Sequence, residues 1–299
     1  MRHGGTLAMA LALAVAGQAG CAAESAETPA PRLNVFVSLL PQAVGVERVG
    51  GDRVKVGVLV GPGQSPHTFE PTPKQMTDLA RARLFFTIGW PFEERLRAKV
   101  TAINPNITVI DTREGVPLRS MTAAEADPDE AAHPAGRADP HIWLSPRLVK
   151  IQAATIARAL ASADAAHAAD YEKNLRAFQA DLDRADAAIA KALAPLAGKE
   201  LFVYHPAFGY FADAYGLKQV PVEVEGKEPS AKHLGAFIER ARAAGVKVIF
   251  VQPQFSAKSA EAVARAIGGV VQPMDPLAKD YLANLETMAE KIRRALEAR

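Results

Sequence analysis

Strand-like runs alternate with helical segments along both halves of this chain, and this alternation limits the possible folds more than any other feature. Residues 54–60 form a β-branched run that suits a buried parallel strand, and residues 91–103 have the pattern of a helix in the same half. The alternation returns in the second half, with strands expected at 220–224 and 246–251 and a helix at 256–267. The sequence therefore predicts an α/β fold in which each half holds a parallel sheet flanked by helices.

A long amphipathic segment separates the two halves. It should form one helix over about residues 164–196, roughly 50 Å long at a rise of about 1.5 Å per residue. We expect this helix to join two lobes as a stiff spine. Its apolar stripe at helical spacing consists of Tyr171, Leu175, Phe178, Leu182, Ile189, Leu193 and Leu196.

Length and composition indicate a globular protein of two domains. The chain has 299 residues, of which 49% are apolar and 23% charged. The formal net charge is only +2 and no basic run is present, which argues against a nucleic-acid partner. We divide the chain into a signal peptide (1–21), a tether (22–32), an N-terminal α/β lobe (33–161), a linking helix (162–197) and a C-terminal α/β lobe (198–299).

The N-terminus has the pattern of a secretory signal. Arg2 supplies a positive charge, and residues 6–17 form an apolar stretch too short to span a bilayer. Small residues then precede Cys21, the only cysteine, in a way that resembles the lipobox of bacterial lipoproteins; Gln18 stands where that motif usually has Leu. We expect a periplasmic or cell-surface protein anchored by a lipid on Cys21. Ordinary signal cleavage nearby is the alternative, and a single cysteine excludes an internal disulfide.

Four polar side chains share one unusual setting, because each has a proline beside it. They are His67, His141, His205 and Asp275, and three of the four follow a strand-like run. Ligands of parallel α/β sheets bind where the carboxyl ends of the strands meet, so we expect these side chains to converge in a crevice. Three imidazoles and one carboxylate match a four-ligand zinc sphere, with about 2.0–2.2 Å from the ion to each ligand.

The other histidines lack this setting. His3 belongs to the signal, His133 lies in an acidic loop over residues 114–138, His167 lies among alanines and His233 at the start of a helix. We interpret all four as structural or solvated residues, which is the usual role of an isolated histidine.

Five motifs occur in order along the chain and carry a resemblance to a known family. They are PHTFEPTP at 66–73, DPHIWLSP at 139–146, YHPAFGYF at 204–211, EGKEPS at 225–230 and MDPL at 274–277. Together they resemble the solute-binding proteins of zinc and manganese ABC transporters, of the high-affinity zinc-uptake lipoprotein type. The resemblance covers nearly the whole mature chain.

The resemblance implies a fold, a site and a partner. It implies two α/β lobes joined by one long helix, with the metal in the cleft between them, bound by His67, His141, His205 and Asp275. It also implies that the protein is not an enzyme but captures Zn²⁺ and delivers it to the membrane permease of an ABC importer. Mn²⁺ is the alternative cargo. Members that handle manganese tend to carry Glu at the position of His205, whereas zinc members often carry a histidine-rich loop; residues 114–138 hold one histidine. We expect a monomer.

Two other classes of function use similar residues. A zinc hydrolase would use the three histidines with Asp275 as a base, but the chain has no His-Glu-x-x-His motif and no nucleophile elbow. Asp275 would also close the open coordination position that catalysis requires. A metal-binding surface adhesin is the remaining alternative, since some relatives have been described as adhesins.

The anchor gives the first testable prediction. Cys21→Ser should release the protein into the soluble extracytoplasmic fraction, because the substitution removes the lipidated thiol. Fractionation of cells that express wild type and variant measures this directly. Unchanged membrane association would mean that Cys21 carries no anchor.

Overall fold

The computed structural model of the chain describes Met1, His3 and residues 32–121, 138–223 and 231–297. The expected signal peptide and tether, apart from Met1, His3 and residue 32, lie outside these ranges. So do residues 122–137 of the expected loop and the motif at 225–230. Among the described residues, no helix has the length and apolar composition needed to cross a bilayer.

The first half of the described chain builds a four-stranded parallel sheet. Its strands lie in the order β2-β1-β3-β4, so the chain starts in the interior of the sheet and extends it on both sides. The strands are β1 (Leu33–Leu39), β2 (Val54–Val60), β3 (Leu84–Thr87) and β4 (Thr108–Asp111), and the helices are α1 (Leu40–Gly50), α2 (Pro73–Leu79) and α3 (Pro91–Ile103).

Helix α1 was not predicted from the sequence. It continues directly from β1 without a Ser, Thr, Asp or Asn cap. The side chain of Gln42 instead accepts hydrogen bonds from the backbone N–H groups of Ser38 and Leu39, both at 3.1 Å. The start of α1 therefore carries only the secondary signals, a Pro in its first turn and Gln42 at its third position.

Two helices separate the first sheet from the second, α4 (Pro146–Ala163) and α5 (Ala168–Leu193). Helix α5 has 26 residues, which corresponds to about 39 Å, and a 3₁₀ turn adjoins each end. It is the predicted spine, although the regular α-helix begins and ends a few residues inside the expected limits. All seven residues of the predicted apolar stripe are buried.

The second half repeats the topology of the first. Within the described residues its strands form a four-stranded parallel sheet in the order β6-β5-β7-β8, the same arrangement as in the first sheet. The strands are β5 (Glu200–Val203), β6 (Lys218–Pro221), β7 (Val248–Val251) and β8 (Val270–Pro273), and the helices are α6 (Gly209–Ala214), α7 (Ala231–Ala243), α8 (Ala257–Ala266) and α9 (Tyr281–Glu297). The predicted strand at 220–224 lies two to three residues earlier than expected.

Helix α5 shares one apolar core with both halves. It packs against α1 and α4, which adjoin the first sheet, and against α9, which follows the second. One cluster of buried side chains extends from β1 to α9, and a smaller cluster lies between the second sheet and helices α7 and α8. The two-lobed α/β fold with a long helix is therefore confirmed, while the lobe boundaries at 161/162 and 197/198 stay predictions.

The spine gives a prediction about stability. Leu182 is fully buried in the stripe of α5, so Leu182→Ala should lower the free energy of unfolding by about 3–5 kcal/mol through lost burial and a new cavity. Denaturant unfolding followed by circular dichroism measures the change. Lys173→Ala, on the exposed face of the same helix, is the control and should stay within about 0.5 kcal/mol of wild type. Equal effects of the two substitutions would contradict the role of the stripe.

Candidate metal centre

Three of the four predicted ligands meet in the cleft between the two sheets. His67 lies in the loop after β2, His141 directly precedes the 3₁₀ turn that leads into α4, and His205 lies two residues beyond β5. Among the described residues, one ring nitrogen from each of these histidines falls within 4.8 Å of the other two. His141 and His205 are 4% exposed, whereas His67 is exposed.

The spacing of the ring nitrogens suits a tetrahedral ion. Nε2 of His205 lies 3.2 Å from Nε2 of His67 and 3.4 Å from Nε2 of His141. Two nitrogens that are each about 2.0–2.1 Å from one ion at the tetrahedral angle are about 3.3–3.4 Å apart. The rings therefore need only small movements to bind a zinc-sized ion.

A carboxylate orients each of the two buried rings. Nδ1 of His141 lies 2.7 Å from Asp139, and Nδ1 of His205 lies 2.7 Å from Glu223. A carboxylate accepts a hydrogen bond from Nδ1–H, so it fixes the tautomer in which the Nε2 lone pair faces the ion, and it makes that nitrogen a stronger ligand. Asp139 is held in turn by Arg119, at 2.7 Å.

The environment of the site sets the protonation states of His205 and Asp139. Burial and the neighbouring His141 ring hold the pKa of His205 well below its usual 6.5, against the opposing charge of Asp139. Burial alone would raise the pKa of Asp139. The charge and hydrogen bonds of His141, with a hydrogen bond from Arg119, outweigh burial and hold that pKa below 3.8. These shifts favour a neutral His205 and an ionised Asp139.

The sequence did not identify either orienting carboxylate as part of the site. Asp139 stands two residues before His141, a spacing that could have indicated the pair. Glu223 was placed inside the expected strand 220–224, but β6 ends at Pro221 and leaves Glu223 in the loop at its carboxyl end. A shift of a few residues in a strand boundary therefore concealed a functional side chain.

Asp275, the fourth predicted ligand, follows β8 as expected but is not part of the histidine cluster. Its Oδ1 accepts hydrogen bonds from the side-chain amide of Gln254 and from the backbone N–H of Leu277, both at 2.9 Å. Pro276 and Leu277, the two residues after it, line the cavity at the histidines. The role of Asp275 as a ligand stays a prediction.

His167, another histidine that the structure describes, does not join this cluster. His167 is paired with Asp164 through its Nδ1, at 2.8 Å, next to the start of α5. Cys21 and His133 lie outside the described residues, and the side chain of His233 is not described.

The fold and the site define a class: a two-lobed protein that presents ligands for one small cation in the cleft between its sheets, as solute-binding proteins do. Comparison with known proteins identifies the family. A family model described as "Zinc-uptake complex component A periplasmic" matches residues 35–295. The chain belongs to this periplasmic family, whose members are solute-binding proteins and not enzymes, as its sequence motifs predict.

Relatives with similar sequences are named as zinc-uptake or metal-binding proteins. The high-affinity zinc uptake system protein ZnuA of Bacillus subtilis is 30% identical over 262 residues, which cover 85% of this chain and 81% of the relative. A putative metal-binding protein of Treponema pallidum is 28% identical over 279 residues, covering 91% of this chain and 88% of the relative.

Solved structures agree with the sequence comparisons. A crystal structure of ZnuA matches with a TM-score of 0.81 and 42% identity, covering 89% of this chain and 100% of that one. FpvC of Pseudomonas aeruginosa, solved in complex with Mn²⁺, matches with a TM-score of 0.78 and 28% identity, covering 90% of this chain and 99% of that one. The laminin-binding protein of Streptococcus agalactiae matches with a TM-score of 0.76 and 25% identity, covering 89% of this chain and 100% of that one.

The orienting carboxylates give a prediction about affinity. Asp139→Asn should weaken zinc binding about 10- to 100-fold, because the amide lacks the charge that strengthens His141 as a ligand. Glu223→Gln should have a comparable effect through His205. Competition with a chromophoric chelator measures both.

A matched control separates this effect from the loss of an ion pair. Asp213 also accepts a hydrogen bond from Arg119, at 2.9 Å, but it is exposed and does not contact the histidine cluster. Asp213→Asn should therefore keep the affinity of wild type. If Asp139→Asn bound zinc as tightly as Asp213→Asn does, the orienting role of Asp139 would be wrong.

Proposed function

We propose that this protein captures Zn²⁺ outside the cytoplasm and delivers it to the membrane permease of an ABC importer. The observation that carries the proposal is the convergence of three imidazole Nε2 atoms, at 3.2 and 3.4 Å from one another in two of the three pairs. We further propose that Asp275 completes the ligand set after its carboxylate turns from Gln254 and Leu277. Three nitrogens with one carboxylate is a donor set that suits zinc.

The arrangement of the site supports transport more than a permanent structural ion. His141 and His205 are held by Asp139 and Glu223, and a continuous apolar core supports the loops that carry them. We therefore expect the fold to be stable without the ion. His67, the third ligand, is exposed and gives the ion a way in and out.

Manganese is a second candidate cargo. The FpvC structure was solved with Mn²⁺ and shares the fold of this chain. The donor set argues for zinc, because Mn²⁺ favours oxygen ligands and a higher coordination number, and because the intrinsic order of affinities places zinc above manganese.

Two further features belong to the proposal. We propose that Cys21 carries a lipid anchor that holds the protein near its permease, and that the protein acts as a monomer. A second role as a surface adhesin is supported by laminin-binding neighbours, among them the Streptococcus agalactiae protein described as bifunctional, with adhesin and metal-transporting activity.

A metal titration tests the proposed function. The protein stripped with a chelator should stay folded by circular dichroism and bind one Zn²⁺ per chain in calorimetry, with a preference for Zn²⁺ over Mn²⁺ in competition. The affinity should fall as the pH drops, because an imidazole binds the ion only in its neutral form and protons compete with the ion for it. The lowered pKa of His205 means that this ring is protonated only well below pH 6.5. His141→Ala should lose most of this binding and remain folded.

Each part of this result can contradict the proposal separately. A stripped chain that unfolds would make the ion structural. If wild type preferred Mn²⁺, the transported ion would be manganese and not zinc. Two binding sites of similar affinity would mean that the acidic loop at 114–138 binds metal as well.

A further inference from the structure

Two aromatic residues occupy equivalent positions in the two lobes and cover the histidines. Trp90 follows β3 and Phe255 follows β7, and each of these strands lies third in the order of its sheet. The ring centroid of Trp90 lies 4.9 Å from that of His67 and 5.6 Å from that of His141, both edge to face. Phe255 stacks on His205, with centroids 4.6 Å apart and planes 23° apart.

Contacts within each lobe hold these rings in place. The carboxylate of Glu93 accepts hydrogen bonds from the backbone N–H groups of Gly89 and Trp90, at 2.6 and 2.9 Å. Trp90 is 4% exposed. The backbone N–H of Phe255 donates to the carbonyl of Gln252, at 3.1 Å, and the Gln252 amide donates to the carbonyl of His205, at 2.8 Å. Hydrogen bonds within each lobe therefore fix the backbone that carries each aromatic ring.

The space beside the imidazoles is small. A cavity of about 20 Å³ is lined by the three histidines, by Trp90 and Phe255, and by Trp143. One water molecule needs about 10–15 Å³ of such cavity volume. The cavity can therefore hold a single ion or water molecule, but not an ion with its hydration shell. A wider cavity of about 220 Å³ borders the same histidines on the side of Arg95 and Met121, and we assign the route of the ion to it.

We propose that Trp90 and Phe255 determine the metal specificity of this site, by covering the imidazoles from both lobes and limiting the ion to four ligands. Zn²⁺ accepts four ligands, whereas Mn²⁺ favours six, several of them water oxygens. Apolar rings against the ligands exclude those waters, so manganese loses part of its coordination while zinc does not. The inference rests on the proposed function, because it assigns a selectivity to the same site.

The experiment uses variants that open the aromatic cover from each side. Phe255→Ala and Trp90→Ala remove a ring, while Phe255→Leu and Trp90→Phe keep an apolar side chain. Phe255 is only half-buried, so its truncation should leave the fold intact. Each variant is stripped, checked by circular dichroism and titrated with Zn²⁺ and Mn²⁺ in competition. Each is also loaded with Co²⁺, whose visible absorption is intense in a four-coordinate site and weak in a six-coordinate one.

A matched truncation elsewhere in the C-terminal lobe is the control. Phe237 packs on Phe202, with centroids 5.5 Å apart, in the smaller apolar cluster away from the histidines. Phe237→Ala should lower stability and leave both the metal ratio and the Co²⁺ spectrum of wild type unchanged.

We expect wild type to show the intense Co²⁺ spectrum of four-coordination. The two alanine variants should show weaker bands and a zinc-to-manganese affinity ratio lowered about 10- to 100-fold, the usual range for losing a residue that supports a metal ligand. The leucine and phenylalanine variants should stay closer to wild type.

Several results would overturn the inference. One is a folded alanine variant that keeps the zinc-to-manganese affinity ratio and the Co²⁺ spectrum of wild type. Another is an equal loss of affinity for both metals with an unchanged Co²⁺ spectrum. The third is a weak, six-coordinate Co²⁺ spectrum in wild type. If stripped wild type bound neither Zn²⁺ nor Mn²⁺, the proposed function itself would fail. That result differs from a wild type that binds zinc tightly but whose variants keep its selectivity.

Discussion

The three histidines of the proposed site come from both halves of the chain, so their ring nitrogens can meet only if the two sheets are held at a fixed distance and angle. His67 follows β2 of the first sheet, His141 precedes the 3₁₀ turn before α4, and His205 follows β5 of the second sheet. Helix α5 meets this requirement, because its buried stripe packs against helices that belong to both halves. A flexible linker would add a large entropy cost to every binding event, whereas a shared apolar core is ordered when the chain folds. The packing of helix α5 against both halves therefore fixes the geometry of the site.

Burying two imidazoles and two carboxylates in an apolar cleft is unfavourable unless their polar atoms are paired. Each buried histidine meets this condition locally, through Asp139 or Glu223. The pairs leave the Nε2 atoms facing one another, which is a poor arrangement for neutral rings alone and a good one around a cation. The Nδ1 atoms of the two buried rings are thus paired, and their Nε2 atoms remain for the ion. Metal affinity therefore depends on the two carboxylates, whereas the stability of the fold depends on the apolar core.

Both lobes use the same strand order, yet they contribute different side chains at equivalent strand ends. The loop after β2 supplies a proposed metal ligand, His67, whereas the loop after β6 supplies Glu223, the carboxylate paired with His205. The two loops after the third strands both supply an aromatic ring. The fold fixes where loops meet, and the residues in those loops decide what the meeting point can bind. Relatives with the same fold have been solved with zinc or with manganese, which agrees with this division of roles.

Local rules determined much of this protein from its sequence. The alternation of strands and helices predicted both parallel sheets, and the apolar stripe predicted α5, because each depends only on periodicity within a few turns. Proline-flanked histidines, two of them at expected strand ends, predicted the cluster. Tertiary structure decided the rest. Glu223 reaches His205 only because β6 ends at Pro221, and Asp275 accepts a hydrogen bond from the side chain of Gln254. These pairings join residues that are distant in the sequence, which local periodicity does not encode.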